Sequence, residues 1–424
     1  MEKRTQNITI PLWAPFSLIF LGFWLFAAPG TFGYCGTSLG LCDKLCGILL
    51  LLLGYFLRKP RLWMLWAVSL VGVWLQFAPI YLRIPEAVGY LNNTLVGVLA
   101  IFFSLILASE KETKGKDIPK GWTYNPSTFA QRFPVILLTG ICWFLARYLA
   151  AYQLGFIHTM WDPFFGAGTV EVITSDISKA LPVPDAGLGA FAYTLEFLLG
   201  CHGGSARWRT APWLVLSFGL LVVPVGLVSI FLIMMQPLVV HAWCTVCLIT
   251  AFAMLFMIMF TIDEVAACLQ LLKQGRKAGL PLGKLLFCGL SEKNSVINDP
   301  RDVPLNSSFR KIFPSMFLGC GMPLNLLATA LCGIVFVALP GYSNFTGALA
   351  DVDHVLGALI VVVSVIAMAE VARKIRYLVC ILAPLIAIVA CFFSSGHVLD
   401  LHIGLSILTF ILSFRRGYIR ESYG

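Results

Sequence analysis

Apolar residues along this chain run in long blocks, broken by short polar segments, rather than alternating with polar ones. Residues 211–240 carry no charge at all, and a second apolar run, 248–262, follows almost at once. A helix needs roughly 20 apolar residues to cross a bilayer. Blocks suited to crossing fall near 9–29, 46–57, 62–82, 94–108, 134–153, 186–201, 213–240, 244–265, 313–340, 355–371, 377–392 and 403–414. The pattern predicts an all-α, polytopic membrane protein with about 12 transmembrane helices. The first block continues into further spans without an Ala-x-Ala site, so it reads as a retained span and not a cleaved signal.

Composition agrees: 59% of residues are hydrophobic and 12% charged. A net charge of +9 raises nucleic acid as a partner, but its distribution argues against one. With the amino terminus in the cytoplasm and loops assigned alternately, only Lys44, Arg83 and Lys179 fall outside, and Arg147 lies within a span. The other 26 of the 30 Lys and Arg fall inside. This positive-inside bias predicts an even number of spans with both termini cytoplasmic. The bilayer is the expected environment, and the inner membrane of a bacterium the expected location.

The chain repeats at its two ends. Gly22-Phe23-Trp24-Leu25 ahead of Pro29 returns as Gly72-Val73-Trp74-Leu75 ahead of Pro79, with a fainter copy at Gly333 to Pro340. After each comes an Asx-x-x-x-Gly step, Asp43 with Gly47, Asn93 with Gly97 and Asp353 with Gly357, and a fourth such step, Asp400 with Gly404, opens the last span. The expected roles are helix capping for the Asx residue and close helix contact for the glycine. These hairpins resemble the small bacterial membrane repeats named for a Ser-Pro-Trp motif, with Ala-Pro-Gly and Ala-Pro-Ile at the motif's place. The expected role is a membrane-embedded frame.

The pattern that carries chemistry is Cys244-Thr245-Val246-Cys247, at the turn between two apolar runs. The alternating loops put it at the extracytoplasmic surface. The first cysteine of such a motif lies near the positive end of a helix dipole, which favours the attacking thiolate. That placement suits electron exchange between thiols and something dissolved in the membrane.

Around the motif, a loop Trp161-Asp162-Pro163-Phe164-Phe165-Gly166 leads through Pro184-Asp185-Ala186-Gly187 into a helix containing Tyr193-Thr194-Leu195-Glu196, and Cys244 to Cys247 opens the fourth span of this segment. The order resembles the vitamin K epoxide reductase family: a four-helix bundle with a large outer loop after its first helix. The expected layout is two helical-hairpin repeats over 1–130, the bundle over 131–272, a basic cytoplasmic loop over 273–312 and two further hairpins over 313–424.

The resemblance implies a quinone-linked thiol oxidoreductase. Cys247 would react with a membrane quinone as co-substrate, and the Cys244–Cys247 disulfide would be re-reduced through a pair of loop cysteines serving a thioredoxin-like extracytoplasmic protein. Asp185 would hydrogen-bond the quinone oxygen, and Tyr193 would line its cavity. Asp185 also reads as a cap of the helix it precedes. The expected loop pair is missing: residues 155–190 hold no cysteine, and Ser175 and Ser178 stand there instead. Cys35 and Cys42, in the first outer loop, are candidates for the relay or for a simple brace. Arg147 and Glu196 lie inside spans, where charges are costly and normally paired. Six scattered histidines suggest no metal site. The rival reading is a transporter or non-catalytic scaffold with a structural Cys-x-x-Cys.

Overall fold

A computed structural model describes residues 13–57, 62–83, 87–108, 118–290, 303 and 307–423. The basic segments at 58–61, 109–117 and 291–302 lie outside the described residues. Helices follow one another as α1 (Trp13–Thr31), α2 (Ser38–Phe56), α3 (Leu62–Tyr81), α4 (Ala87–Ala108), α5 (Phe129–Gln153), α6 (Gly168–Thr174), α7 (Asp185–Cys201), α8 (Arg207–Thr210) and α9 (Pro212–Met235). A π-turn (Gln236–Val240) leads to α10 (Thr245–Lys277), α11 (Leu282–Cys288), α12 (Phe309–Ser315), α13 (Leu324–Ser343), α14 (Ala348–Ile366), α15 (Val379–Phe393) and α16 (His397–Phe414). Among the described residues, 11 helices are long and apolar enough to cross a membrane. The 17-residue α7 is the further block read from hydropathy, at the short end of the spanning range. The chain is a multi-pass membrane protein.

Several ends differ from the hydropathy blocks. α2 begins at Ser38, capped by the Thr37 hydroxyl, which accepts the Gly40 amide at 3.1 Å. The block at 313–340 divides into α12 and α13, with Pro323 just before the second. Hydropathy averages over a window and cannot see a cap or a break of a few residues.

The chain forms two compact units. The first comprises residues 1–113, 142–161 and 173–202. In it α1 pairs with α2 and α3 with α4, crossing at glycine: a Cβ on Gly72 would lie 2.6 Å from the Gly97 carbonyl oxygen, and Gly22 meets Gly47 likewise at 2.8 Å. Only the missing side chain lets the backbones come so close. The repeat symmetry extends to polar contacts. Trp24 donates its indole N–H to Asn92 Oδ1 at 2.8 Å, and Trp74 donates to Cys42 Sγ at 3.1 Å. Each repeat's tryptophan thus reaches the residue five positions before the other repeat's glycine.

The Asx residues do not cap helices. Asp43 is fully buried inside α2, accepting from Asn93 Nδ2 at 2.7 Å and from the Tyr34 hydroxyl at 2.9 Å. A buried carboxylate needs such donors, since no water reaches it. Asp400 is exposed.

The second unit comprises residues 114–141, 162–172 and 203–424. Here α13 crosses α14 at Gly333 and Gly357, and Asp353 Oδ2 meets His402 Nε2 at 2.8 Å with both side chains buried. α14 also packs against α9, the π-turn and α10. In the second half of α10, Arg207 holds Glu264 through two 2.6 Å bonds. Tyr124 donates to Asp263 at 2.7 Å. Glu370 accepts the amides of Arg420 and Glu421 at 3.0 and 2.9 Å. Unpaired, charges buried this deeply would be strongly destabilising.

Candidate functional site

Cys244 is the N-cap residue of α10, and its sulfur accepts the Cys247 amide at 3.1 Å. The two cysteines form a disulfide with Cα atoms 5.3 Å apart. Cys244 is fully buried, whereas Cys247 is partly exposed. The chain arrives through His241, which adopts a left-handed conformation (φ 56°) and closes the π-turn. Gln236 Oε1 accepts the Cys244 amide at 3.0 Å, so the turn is held to the helix before it.

The loop segment that begins at Asp162 packs on the motif. Asp162 Oδ2 accepts the Thr169 amide at 2.8 Å and hydroxyl at 2.7 Å, while Oδ1 accepts the Phe165 amide at 3.0 Å and the Thr245 hydroxyl. Thr169 Oγ1 in turn accepts the Thr245 amide at 3.2 Å. Burial opposes ionisation of Asp162, but the Thr245 and Thr169 hydroxyls and the loop amides outweigh it, holding the carboxyl below the usual carboxylate range. At Gly168 a Cβ would stand 2.3 Å from the Trp243 carbonyl oxygen, so only glycine lets the segment settle against the motif. On another side, Trp243 meets the His354 ring edge-on at 5.6 Å between centroids.

Asp162, Thr169 and Gln236 were not singled out in the sequence. For Asp162 the signal was present: an Asp-Pro pair opening a loop is a turn signature, because the carboxylate caps amides two and three residues on. For Gln236, eight residues before Cys244, no local pattern points to the contact.

Asp185, Tyr193, Cys35 and Cys42 belong to the first unit. Asp185 is the first residue of α7, and its Oδ1 accepts from Gln153 at 2.6 Å, Ser178 at 2.7 Å and the Ala186 amide at 2.8 Å. Ser178, standing where a loop cysteine was expected, thus braces this carboxylate. Tyr193 is buried in α7. Cys35 and Cys42 are free thiols, the first exposed and the second half-buried.

Arg147 does not turn to Glu196. It donates to the Gln76 carbonyl at 3.1 Å and to the Thr94 hydroxyl, with its guanidinium 4.1 Å from the Tyr90 ring centre. The cation therefore fastens α5 to α3 and α4, as Trp143 does by donating to Gln76 Oε1 at 2.8 Å. Neither Glu196 oxygen has a hydrogen-bond partner among the described residues. His241 is exposed, with Nδ1 3.0 Å from the Pro237 carbonyl. Among the described residues, no group of three or more His, Cys, Asp or Glu is placed to hold a metal ion.

Residues 133–262 match the model of the vitamin K epoxide reductase family. Residues 12–107 match that of the SPW repeat domain. No curated protein and no solved structure matches the chain. The first match supports an oxidoreductase, and its range contains Cys244, Cys247, Asp185 and Tyr193.

Proposed function

We propose that this protein is a membrane thiol–disulfide oxidoreductase that passes electrons from protein thiols to a membrane quinone through Cys244 and Cys247. The observation that carries the reading is the disulfide at the start of α10, inside the segment matched by the family model. Each turnover is two exchanges. A dithiol substrate reduces the Cys244–Cys247 disulfide and leaves as a disulfide. The Cys244–Cys247 dithiol then gives two electrons and two protons to the quinone, which leaves as quinol.

The local chemistry supports this. The Cys247 amide aimed at Cys244 Sγ and the helix start behind it stabilise a thiolate, the form that attacks and leaves in exchange. Cys244 is buried beneath the Asp162 segment, so a substrate thiol reaches it when that segment lifts. Asp185 and Tyr193 are the proposed quinone contacts. Among the described residues, the hydrogen bonds of Asp185 fall on Oδ1, which leaves Oδ2 to accept a quinol hydroxyl. The orientation that goes with this reading places both termini in the cytoplasm of a bacterium, with a thioredoxin-like protein as the extracytoplasmic partner.

Cys35 and Cys42 are the proposed relay between that partner and Cys244. In a Cys247→Ser background, a relay leaves one of them trapped as a mixed disulfide with Cys244. A brace leaves no such crosslink, and the double serine variant then keeps full turnover. For the reaction itself, Cys247→Ser abolishes quinone-dependent thiol oxidation in membranes. Thiol oxidation at the unmodified rate in both the Cys247→Ser and Cys244→Ser variants overturns the assignment.

A further inference from the structure

From Val265 to Leu290 the chain carries Lys273, Arg276, Lys277 and Lys284 and not one Asp or Glu. The first three stand near the end of α10, after which Gly279, at φ 78°, turns the chain towards α11. The short helix folds back on the long one because Leu285 takes the space of a missing side chain: a Cβ on Gly275 would lie 2.4 Å from Leu285 Cδ1. Beyond α11 the Leu290 amide donates to the Arg209 carbonyl at 2.9 Å, and Arg209 Nη1 donates to the Leu290 carbonyl at 3.0 Å. So fastened, α11 leaves beside α10 an open groove of about 500 Å³, lined by Leu272, Lys273, Arg276, Lys277 and Leu282.

We infer that this groove binds the phosphate headgroup of an anionic phospholipid, with the first carbons of the lipid against Leu272 and Leu282. Residues three and four apart on a helix are neighbours, so Lys273, Arg276 and Lys277 concentrate positive charge on one face. No ion pair among the described residues neutralises it. Cations favour the last turn of any helix, but that does not explain the groove they share with two leucines. Arg276 can give a phosphate two parallel N–H donors, and the lysines add point charges. Depth selects a lipid as the source of that phosphate. Lys273 lies about 42 Å along α10 from Thr245, at about 1.5 Å per residue, and a bilayer with its headgroups is about 40–45 Å thick. With the Cys-x-x-Cys at one surface, the groove falls at the headgroup level of the other. Leu280, Leu282 and Phe287 are exposed beside it, which suits acyl chains and not a soluble anion.

Exposed cations elsewhere supply the comparison. Lys374, after α14, and Arg415 and Arg416, after α16, are exposed too. A diffuse attraction of basic residues to an anionic leaflet would draw on both sets, whereas a built groove draws on one. Binding is measured without turnover, so this inference and the redox reading of Cys244 and Cys247 can fail separately.

The test is titration of the full-length protein in mild detergent with dioleoyl phosphatidylglycerol or dioleoyl phosphatidylcholine, bound lipid being counted by native mass spectrometry. Phosphatidylglycerol should bind the more tightly. Lys273→Gln, Arg276→Gln and Lys277→Gln together should weaken it about a hundredfold, at roughly fivefold per cation. Leu282→Asp, a single change on the rim, should weaken it about fivefold. Lys374→Gln, Arg415→Gln and Arg416→Gln together should leave it unchanged, as should inorganic phosphate added at the concentration of the lipid. Equal binding of the two lipids overturns the inference, as do equal losses in the two triple variants or full affinity in the first. Displacement of the lipid by that phosphate overturns it as well, by making free phosphate the ligand.

Discussion

The Thr245 hydroxyl, inside the Cys-x-x-Cys, donates to the Asp162 carboxylate at the start of the loop segment that packs on the motif. The segment that hides Cys244 is thereby fastened to the motif itself. Asp162→Ala removes the acceptor of that bond and of the Thr169 and Phe165 bonds. The expected cost is about 1–2 kcal/mol, since the carboxylate is largely exposed. The reduction rate of the Cys244–Cys247 disulfide by a small thiol should rise, because Cys244 becomes reachable. An unchanged rate would show that the segment does not control access.

The same carboxylate sets an acid limit. Its pKa is lower folded than unfolded, so its contribution is fully present above the unfolded value, about 4. It is lost as the pH falls through the folded value. Thermal unfolding in detergent should therefore show an acid-side loss of stability below about pH 4 that is smaller in Asp162→Asn.

The Asp353–His402 contact joins α14 to α16 much as Asp43–Asn93 joins α2 to α4. His402→Asn should reproduce the second kind of pair and cost little. His402→Leu strands a buried carboxylate and should cost roughly 3–5 kcal/mol. Melting temperatures of the two variants in detergent decide the matter; equal losses would mean that the hydrogen bond to Asp353 is not what counts.

Much of this architecture was legible in the sequence because membrane insertion depends on composition over about 20 residues. What hydropathy could not supply was the partner of each polar residue. Asp43 looked like a cap because Asx near a helix start usually is one, yet α2 begins five residues earlier and Asp43 faces Asn93, fifty residues away. The repeat held the clue: both stand four residues before the glycine at which their own hairpin crosses, so they lie at the same depth. Arg147 and Glu196 invited pairing by charge, but Arg147 found carbonyl, hydroxyl and ring partners on α3 and α4. That Cys244 and Cys247 meet at the start of a helix was legible in their spacing; Gln236 was not, because its contact exists only once the π-turn has formed.

The proposed orientation is open to direct labelling. A cysteine introduced at Ser395, in the exposed turn between α15 and α16, should react with an impermeant maleimide from outside intact cells. One at Ser307 should not. The reverse pattern would put Cys244 in the cytoplasm, where a lasting disulfide is disfavoured.

The central claim is that the Cys244–Cys247 pair is in redox contact with quinone. Its most direct measurement is acid quenching of membranes followed by alkylation, with the redox state of the two cysteines read by mass spectrometry as quinone is depleted and restored. The account predicts that the pair accumulates as dithiol without quinone and returns to the disulfide on its addition, with no return in Cys247→Ser. A Cys244–Cys247 disulfide that stays fully formed whatever the quinone content, under a reductant that reaches it, would contradict the account and leave the motif a structural clasp.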